Sequence, residues 1–178
     1  PDQPAVVRQF AQGGMVLTKP LVVILMGSKA DLNHAEQVAE AAKSFGLDAV
    51  MRVGSAHKTA AHVLAMLQAY EADPRPKVYV TIAGRSNALS GFVDGCVSAP
   101  VIACPPLSDA FGGADIVSSL RMPSGIAPAV VLEPANAALL AAKILGVHDA
   151  EVRAAVAVYQ EKLQAAVLAA DRELHPGD

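Results

Sequence analysis

The sequence predicts an α/β protein: a three-layer α/β/α sandwich around a parallel sheet of about five strands, with an extra helix at the C-terminal end. Three observations point there. Short apolar runs such as Leu21–Met26 are continuous rather than alternating, as in strands covered on both faces. The first four runs stop at Gly or Pro, and the runs alternate with segments of helical apolar spacing. With 178 residues, 53 % apolar and 17 % charged, the chain suits one core of that size.

The first strand, Leu21–Met26, ends in Gly27 and Ser28. Asp31 stands where it would cap the next helix, whose Leu32, Ala35, Val38, Ala39, Ala42 and Phe45 share one face, and Gly46 marks its exit. Residues 49–53 form the second strand, and Thr59 caps a helix to about Tyr70 that Pro74 and Pro76 forbid to continue. Residues 77–83 are the third strand, ending at Gly84. A short helix of small residues over 88–97 leads to a fourth strand, 101–104, closed by Pro105 and Pro106. Residues 118–120 finish a helix begun by Asp109 or Asp115, with Gly112 and Gly113 weakening its start.

A fifth strand over 129–132 precedes an alanine-rich helix, 136–144, which Gly146 ends. Asp149 then caps a last helix, 149–173, carrying Val152, Val156, Tyr159, Leu163 and Val167 on one stripe. Val158 and Leu168 lie off that stripe, which fits either a subunit contact or a helix laid across its own domain. The alternation implies right-handed crossovers and a doubly wound sheet, flavodoxin-like or Rossmann-like, with ligands outside the carboxyl ends of the strands. Residues 1–20 read as an N-terminal tail ordered only by contact, and 21–178 as a single domain.

Composition narrows the partners. A net charge of −3 lacks the basic footprint of nucleic-acid binding, while leaving room for a small phosphorylated ligand. No apolar run approaches a membrane span and the first residues lack a signal-peptide layout, so the expected location is cytoplasmic. Cys96 and Cys104 are expected to be reduced, with no metal site. Positive mean hydropathy favours self-association.

The strand-to-helix loops carry the chemistry. Gly27, Ser28, Ala30 and Asp31 follow the first strand; Ser55, Ala56, His57 and Lys58 the second; Gly84, Arg85, Ser86 and Asn87 the third; Pro105 to Ser108 the fourth. Taken singly, each is ordinary turn chemistry. Together they line one sheet edge where backbone N–H groups approach a phosphate. Asp31 serves equally as a helix cap or an acceptor for ribose hydroxyls. Among the five histidines, His34 and His62 fall on expected solvent faces of helices and His148 and His175 near helix ends. His57 alone sits on a strand-end loop, as a group able to take and give a proton near neutral pH. There is no dinucleotide glycine fingerprint, Walker lysine, nucleophile elbow or metal-spaced histidine pair. The third strand also lacks the acidic end of a response regulator, and with 4 % aromatics a stacked flavin is poorly provided for.

Met26-Gly27-Ser28-Lys29-Ala30-Asp31 and Ser55-Ala56-His57-Lys58, in this order, resemble the hallmarks of the phosphoribosylaminoimidazole carboxylases of purine synthesis over residues 21–146. One class of that family typically carries Ala-Gly-Ala-Gly-Gly-Ala-Ala-His in the third loop. Here the segment Ala83-Gly84-Arg85-Ser86-Asn87-Ala88-Leu89-Ser90-Gly91, together with Lys58, Cys104-Pro105-Pro106 and Ser118 to Gly125, is similar to the second class, which uses carbon dioxide.

The resemblance implies reversible carboxylation of 5-aminoimidazole ribonucleotide (AIR) at C4 by carbon dioxide, giving 4-carboxy-5-aminoimidazole ribonucleotide (CAIR), with no ATP, biotin, metal or other cofactor. It implies His57 as the proton-transfer group, and Ser28, Asp31, Ser55 and Lys58 as ribose and phosphate anchors, with Gly27 and Ala56 beside them. Gly84 and Ser86 would line the base and carbon dioxide pocket, with Arg85 and Asn87 orienting the carboxylate. Many members have Ser at the position of Ala30, so this chain lacks one phosphate hydroxyl. The family also implies a homo-oligomer, an octamer. The alternatives are the mutase reaction, which moves a carboxylate from the exocyclic nitrogen to C4, and a non-catalytic nucleotide-binding module.

Overall fold

The structure, a computed structural model, describes residues 18–175. Residues 1–17 of the expected tail and residues 176–178 fall outside them. Five strands alternate with helices: β1 (Leu21–Met26), α1 (Leu32–Ser44), β2 (Asp48–Val53), α2 (Ala60–Glu71), β3 (Lys77–Ile82), α3 (Ala88–Asp94), β4 (Val101–Ala103), α4 (Val117–Leu120), β5 (Ala129–Val130), α5 (Pro134–Leu145) and α6 (Ala150–Leu174). Every strand pair is parallel, and the order is β2-β1-β3-β4-β5. This is the flavodoxin-like winding, and its direction reverses between β1 and β3, where a binding crevice forms.

The sheet separates two cores. Val22, Ile24 and Met26 of β1, with Val78, Val80 and Ile82 of β3, face α1, α5 and the start of α6. Leu21, Val23, Leu25 and Tyr79 face α2 and α3. All six residues of β1 are therefore buried, the physical meaning of its unbroken apolar run. Each such side chain contributes about 1.5–3 kcal/mol of transfer free energy. Alanines of α1 and α5, including Ala35, Ala42, Ala138 and Ala141, keep the two helices close.

Several ends differ from expectation. Asp31 makes no capping bond to α1; a 3-10 turn, Lys29–Asp31, precedes the helix and Ser28 caps that turn by accepting from the Ala30 N–H. Thr59 likewise makes no capping bond, because its hydroxyl is engaged with Ser55. The fifth strand is cut to two residues at the sheet's edge, with one further ladder bond from the Val131 N–H to the Ala103 carbonyl, and Pro134 opens α5 soon after. Gly46, at φ 80°, and Asp149, whose carboxylate accepts from the Glu151 and Val152 N–H groups, act as expected. In α6 only Val152 and Val156 are buried, while Tyr159 meets the Phe45 ring edge-on. Leu163 and Val167, expected on the docked stripe, are 50 % and 70 % exposed, because the domain ends before they reach it.

Candidate active site

Backbone bonds carry the ladder one residue past each strand. Gly27 N–H donates to the Ile82 carbonyl at 2.9 Å, Gly54 N–H to Met26 at 3.0 Å and Cys104 N–H to Thr81 at 2.8 Å. The four loops therefore leave the same edge. Gly54 is tightly packed there: a Cβ would lie 2.7 Å from the Val63 side chain and 2.8 Å from that of Met66, so both would have to move.

The first loop is short and polar, with the Ser28 hydroxyl 3.4 Å from an Asp31 carboxylate oxygen. The second closes on itself. Ser55 N–H donates to Thr59 Oγ1 at 2.9 Å, Thr59 Oγ1 donates back to the Ser55 carbonyl at 3.2 Å, and Lys58 N–H donates to Ser55 Oγ at 3.3 Å. His57 and Lys58 are left exposed at its tip.

The third loop runs into a buried polar chain. Asn87 Oδ1 accepts from the Ser90 N–H at 3.2 Å and from Ser90 Oγ at 2.8 Å, while Nδ2 donates to Ser119 Oγ at 2.9 Å. Because Ser90 gives its hydrogen to Asn87, Thr81 is the donor in the 2.8 Å contact between Thr81 and Ser90. Asn87 is thus N-cap of α3 and 3 % exposed. It is not among the residues that line the cleft, and its amide oxygen and nitrogen bond to Ser90 and Ser119 instead.

A cleft of about 620 Å³ collects the rest: Gly27, Ser28 and Asp31; Ser55, Ala56, His57 and Lys58; Gly84, Arg85 and Ser86. Its charged lining is Lys58 and Arg85 against Asp31, with His57 between loops. This balance suits an anionic ligand whose phosphate meets the cations while its hydroxyls meet the carboxylate. Ala30, Leu89, Pro106, Leu107 and Ser108 also line it. A mainly apolar recess of about 100 Å³, lined by Pro105, Pro106, Ile116 and Leu132 with Ser108, Asp115 and Ser119 as its polar members, adjoins it at Gly84 and Arg85.

The AIR carboxylase family matches residues 21–166. The chain belongs to that family. A phosphoribosylaminoimidazole carboxylase of Treponema denticola is 60 % identical over 156 residues, covering 88 % of this chain and 98 % of the relative. One of Archaeoglobus fulgidus is 54 % identical, covering 94 % of this chain and 89 % of the relative. The human bifunctional carboxylase/succinocarboxamide synthetase is 44 % identical over 72 % of this chain and 30 % of its own length. The crystal structure of Treponema denticola PurE matches with a TM-score of 0.86, covering 88 % of this chain and 99 % of that one. The fold of this family member is accordingly the one its loops imply.

One histidine is not where its helical position suggested. His34, expected on a solvent face of α1, is half-buried, with Nε2 3.3 Å from Cys104 Sγ at the end of β4. Burial lowers its pKa against smaller opposing pulls from the Cys104 backbone, Asp31 and Glu133. Burial pushes the Cys104 thiol up to about 12. The thiol donates to the Leu132 carbonyl at 3.6 Å, which leaves His34 as donor to sulfur. Periodicity alone carried no signal for this contact. Supporting side chains Asp115, Ser118 and Ser119 were also missed, because they lie about thirty residues from the loop they hold.

Proposed function

We propose that this chain carboxylates AIR at C4 with carbon dioxide, reversibly, in purine synthesis. The observation that carries the reading is the convergence of His57, Lys58, Ser28, Asp31 and the Gly84–Ser86 backbone on one cleft at the sheet's switch point. The exocyclic amine of AIR makes C4 nucleophilic, so the protein must hold that carbon against carbon dioxide and manage one proton. C4 attacks the carbon of carbon dioxide, a carbon–carbon bond forms, and C4 becomes tetrahedral with both hydrogen and carboxylate. His57 removes the C4 proton and its electron pair returns to the ring, restoring aromaticity; in reverse the same group protonates C4 before carbon dioxide leaves.

Ser28, Asp31, Ser55 and Lys58 hold ribose and phosphate, with Gly27 and Ala56 allowing close approach. Gly84, Arg85 and Ser86 face the base and carboxylate end. Two features favour carbon dioxide over an internal carboxylate shift. The third loop brings no histidine to the cleft, and the recess beside it offers apolar walls to an uncharged molecule. The reaction so written needs no cofactor. A cytoplasmic location fits such an enzyme, and no helix among the described residues is long and apolar enough to cross a membrane. Assembly as a homo-oligomer, the octamer of the family resemblance, is supported by Val158, Leu163, Val167 and Leu168 of α6, all at least 50 % exposed.

Incubating the purified protein with AIR and bicarbonate, without ATP, is expected to yield CAIR. Absence of product at high protein concentration would remove the reading.

A further inference from the structure

Behind the cleft, a second row of side chains holds the third loop from far along the chain. Arg85 has φ 58°, a left-handed conformation that a non-glycine residue keeps only when its surroundings impose it. Its N–H donates to Asp115 Oδ2 at 3.3 Å, and its carbonyl accepts from Ser118 Oγ at 2.9 Å. The same Ser118 oxygen accepts from the Asn87 N–H at 3.0 Å, so one hydroxyl grips the loop on both sides of Ser86. Its hydrogen is shared with the Asp115 carbonyl at 2.8 Å, which ties the two holding residues together. Arg85 and Ser86 line the cleft, whereas Ser118 does not.

We propose that Ser118, braced by Asp115, is a positioning residue that fixes where Arg85 and Ser86 stand at the reacting end of the cleft. A hydroxyl is the smallest side-chain group that accepts and donates at once, and both capacities are used here. Without it the Asn87 N–H and the Arg85 carbonyl lose their partner, and Arg85 is free to leave φ 58°. Ser28, Asp31, Ser55 and Lys58 belong to other loops, so the ribose and phosphate end keeps its geometry. The rate effects described next rest on the carboxylase reading; the amide-exchange effect does not.

The test compares Ser118→Val with Ser118→Thr in the full chain. The two have nearly the same shape and only the second keeps a hydroxyl, and Ser118 is exposed, leaving room for the added methyl. In Ser118→Val, hydrogen exchange at the amides of Arg85 and Asn87 is expected to rise on the order of tenfold, with β1 and β3 unchanged. The carbon dioxide concentration for half-maximal rate is expected to rise by a similar factor, with half-saturation by AIR within about twofold of the parent. Ser118→Thr restores both. A merely structural role would lower the folded fraction and so the maximal rate, leaving the carbon dioxide dependence unmoved.

Unchanged exchange at these amides in Ser118→Val overturns the proposal, as does accelerated exchange across the whole sheet. If the parent protein fails to carboxylate AIR, the carboxylase reading falls, and local exchange still decides whether Ser118 holds the loop.

Discussion

The loops after β2 and β3 face each other across the cleft and are held in opposite ways. Ser55 to Thr59 is closed by bonds between residues at most four apart, so its shape is written within the motif itself. Gly84 to Asn87 is shaped by Asp115, Ser118 and Ser119, about thirty residues later. Proton transfer is assigned to the self-contained loop, and the carbon dioxide end to the loop that depends on distant support. The shape of the one can be read from five consecutive residues; that of the other needs residues its motif does not contain.

The largest expected effect breaks chemistry in the loop after β2 without moving it. His57→Asn should lower turnover by about a hundredfold to ten-thousandfold, the usual span for a lost acid–base group, while AIR still binds in calorimetry. A near-normal rate would take the proton from His57.

Next comes Asn87→Ala, which strands Ser90 and Ser119 in the buried chain behind the loop after β3, while Thr81 keeps Ser90 as its partner. Each buried polar group left unpaired costs about 1–3 kcal/mol, so the melting temperature should drop by about 5 °C or more. Thr59→Val, in the self-closed loop, removes bonds that water can replace. A loss of about 1 kcal/mol and a fall in rate of several-fold are expected, with β3 exchange unaltered. If Thr59→Val destabilised the protein more than Asn87→Ala, the contrast between local and distant support would be lost.

The smallest effect concerns His34. Its folded pKa lies below the ordinary value, so the unfolded chain binds the extra proton first. Stability contributed by neutral His34 is therefore complete above about pH 6.5 and declines as pH falls below it. His34→Gln should flatten that part of the melting-temperature profile; an unchanged profile would mean that burial at Cys104 does not set its titration.

Much of this was legible in the sequence because it is local. Continuous apolar runs gave away strands buried on both faces, and Gly46 and Asp149 marked helix ends by residue chemistry that needs no neighbour. The loop motifs named the cleft residues through Arg85 and Ser86. What was not legible depended on hydrogen bonds that residue types alone do not rank, some between near neighbours and some between distant segments. Asp31 and Thr59 are good capping types, yet Ser28 and Ser55 compete for the same local bonds. Asn87 reads as a ligand group until Ser119 is seen to take its amide. His34 reads as solvent-facing until the end of β4 packs beneath it. The distal stripe of α6 is apolar in pattern, but among the described residues nothing packs over it.

In the proposed reaction a third loop without histidine, held from α4, commits this cleft to free carbon dioxide. Its most direct test is the ratio of kcat/KM for AIR with carbon dioxide to that for the N-carboxylated isomer, measured on one preparation without ATP. CAIR formation from AIR and carbon dioxide is expected, with little or none from the isomer. Turnover of the isomer alone would contradict it.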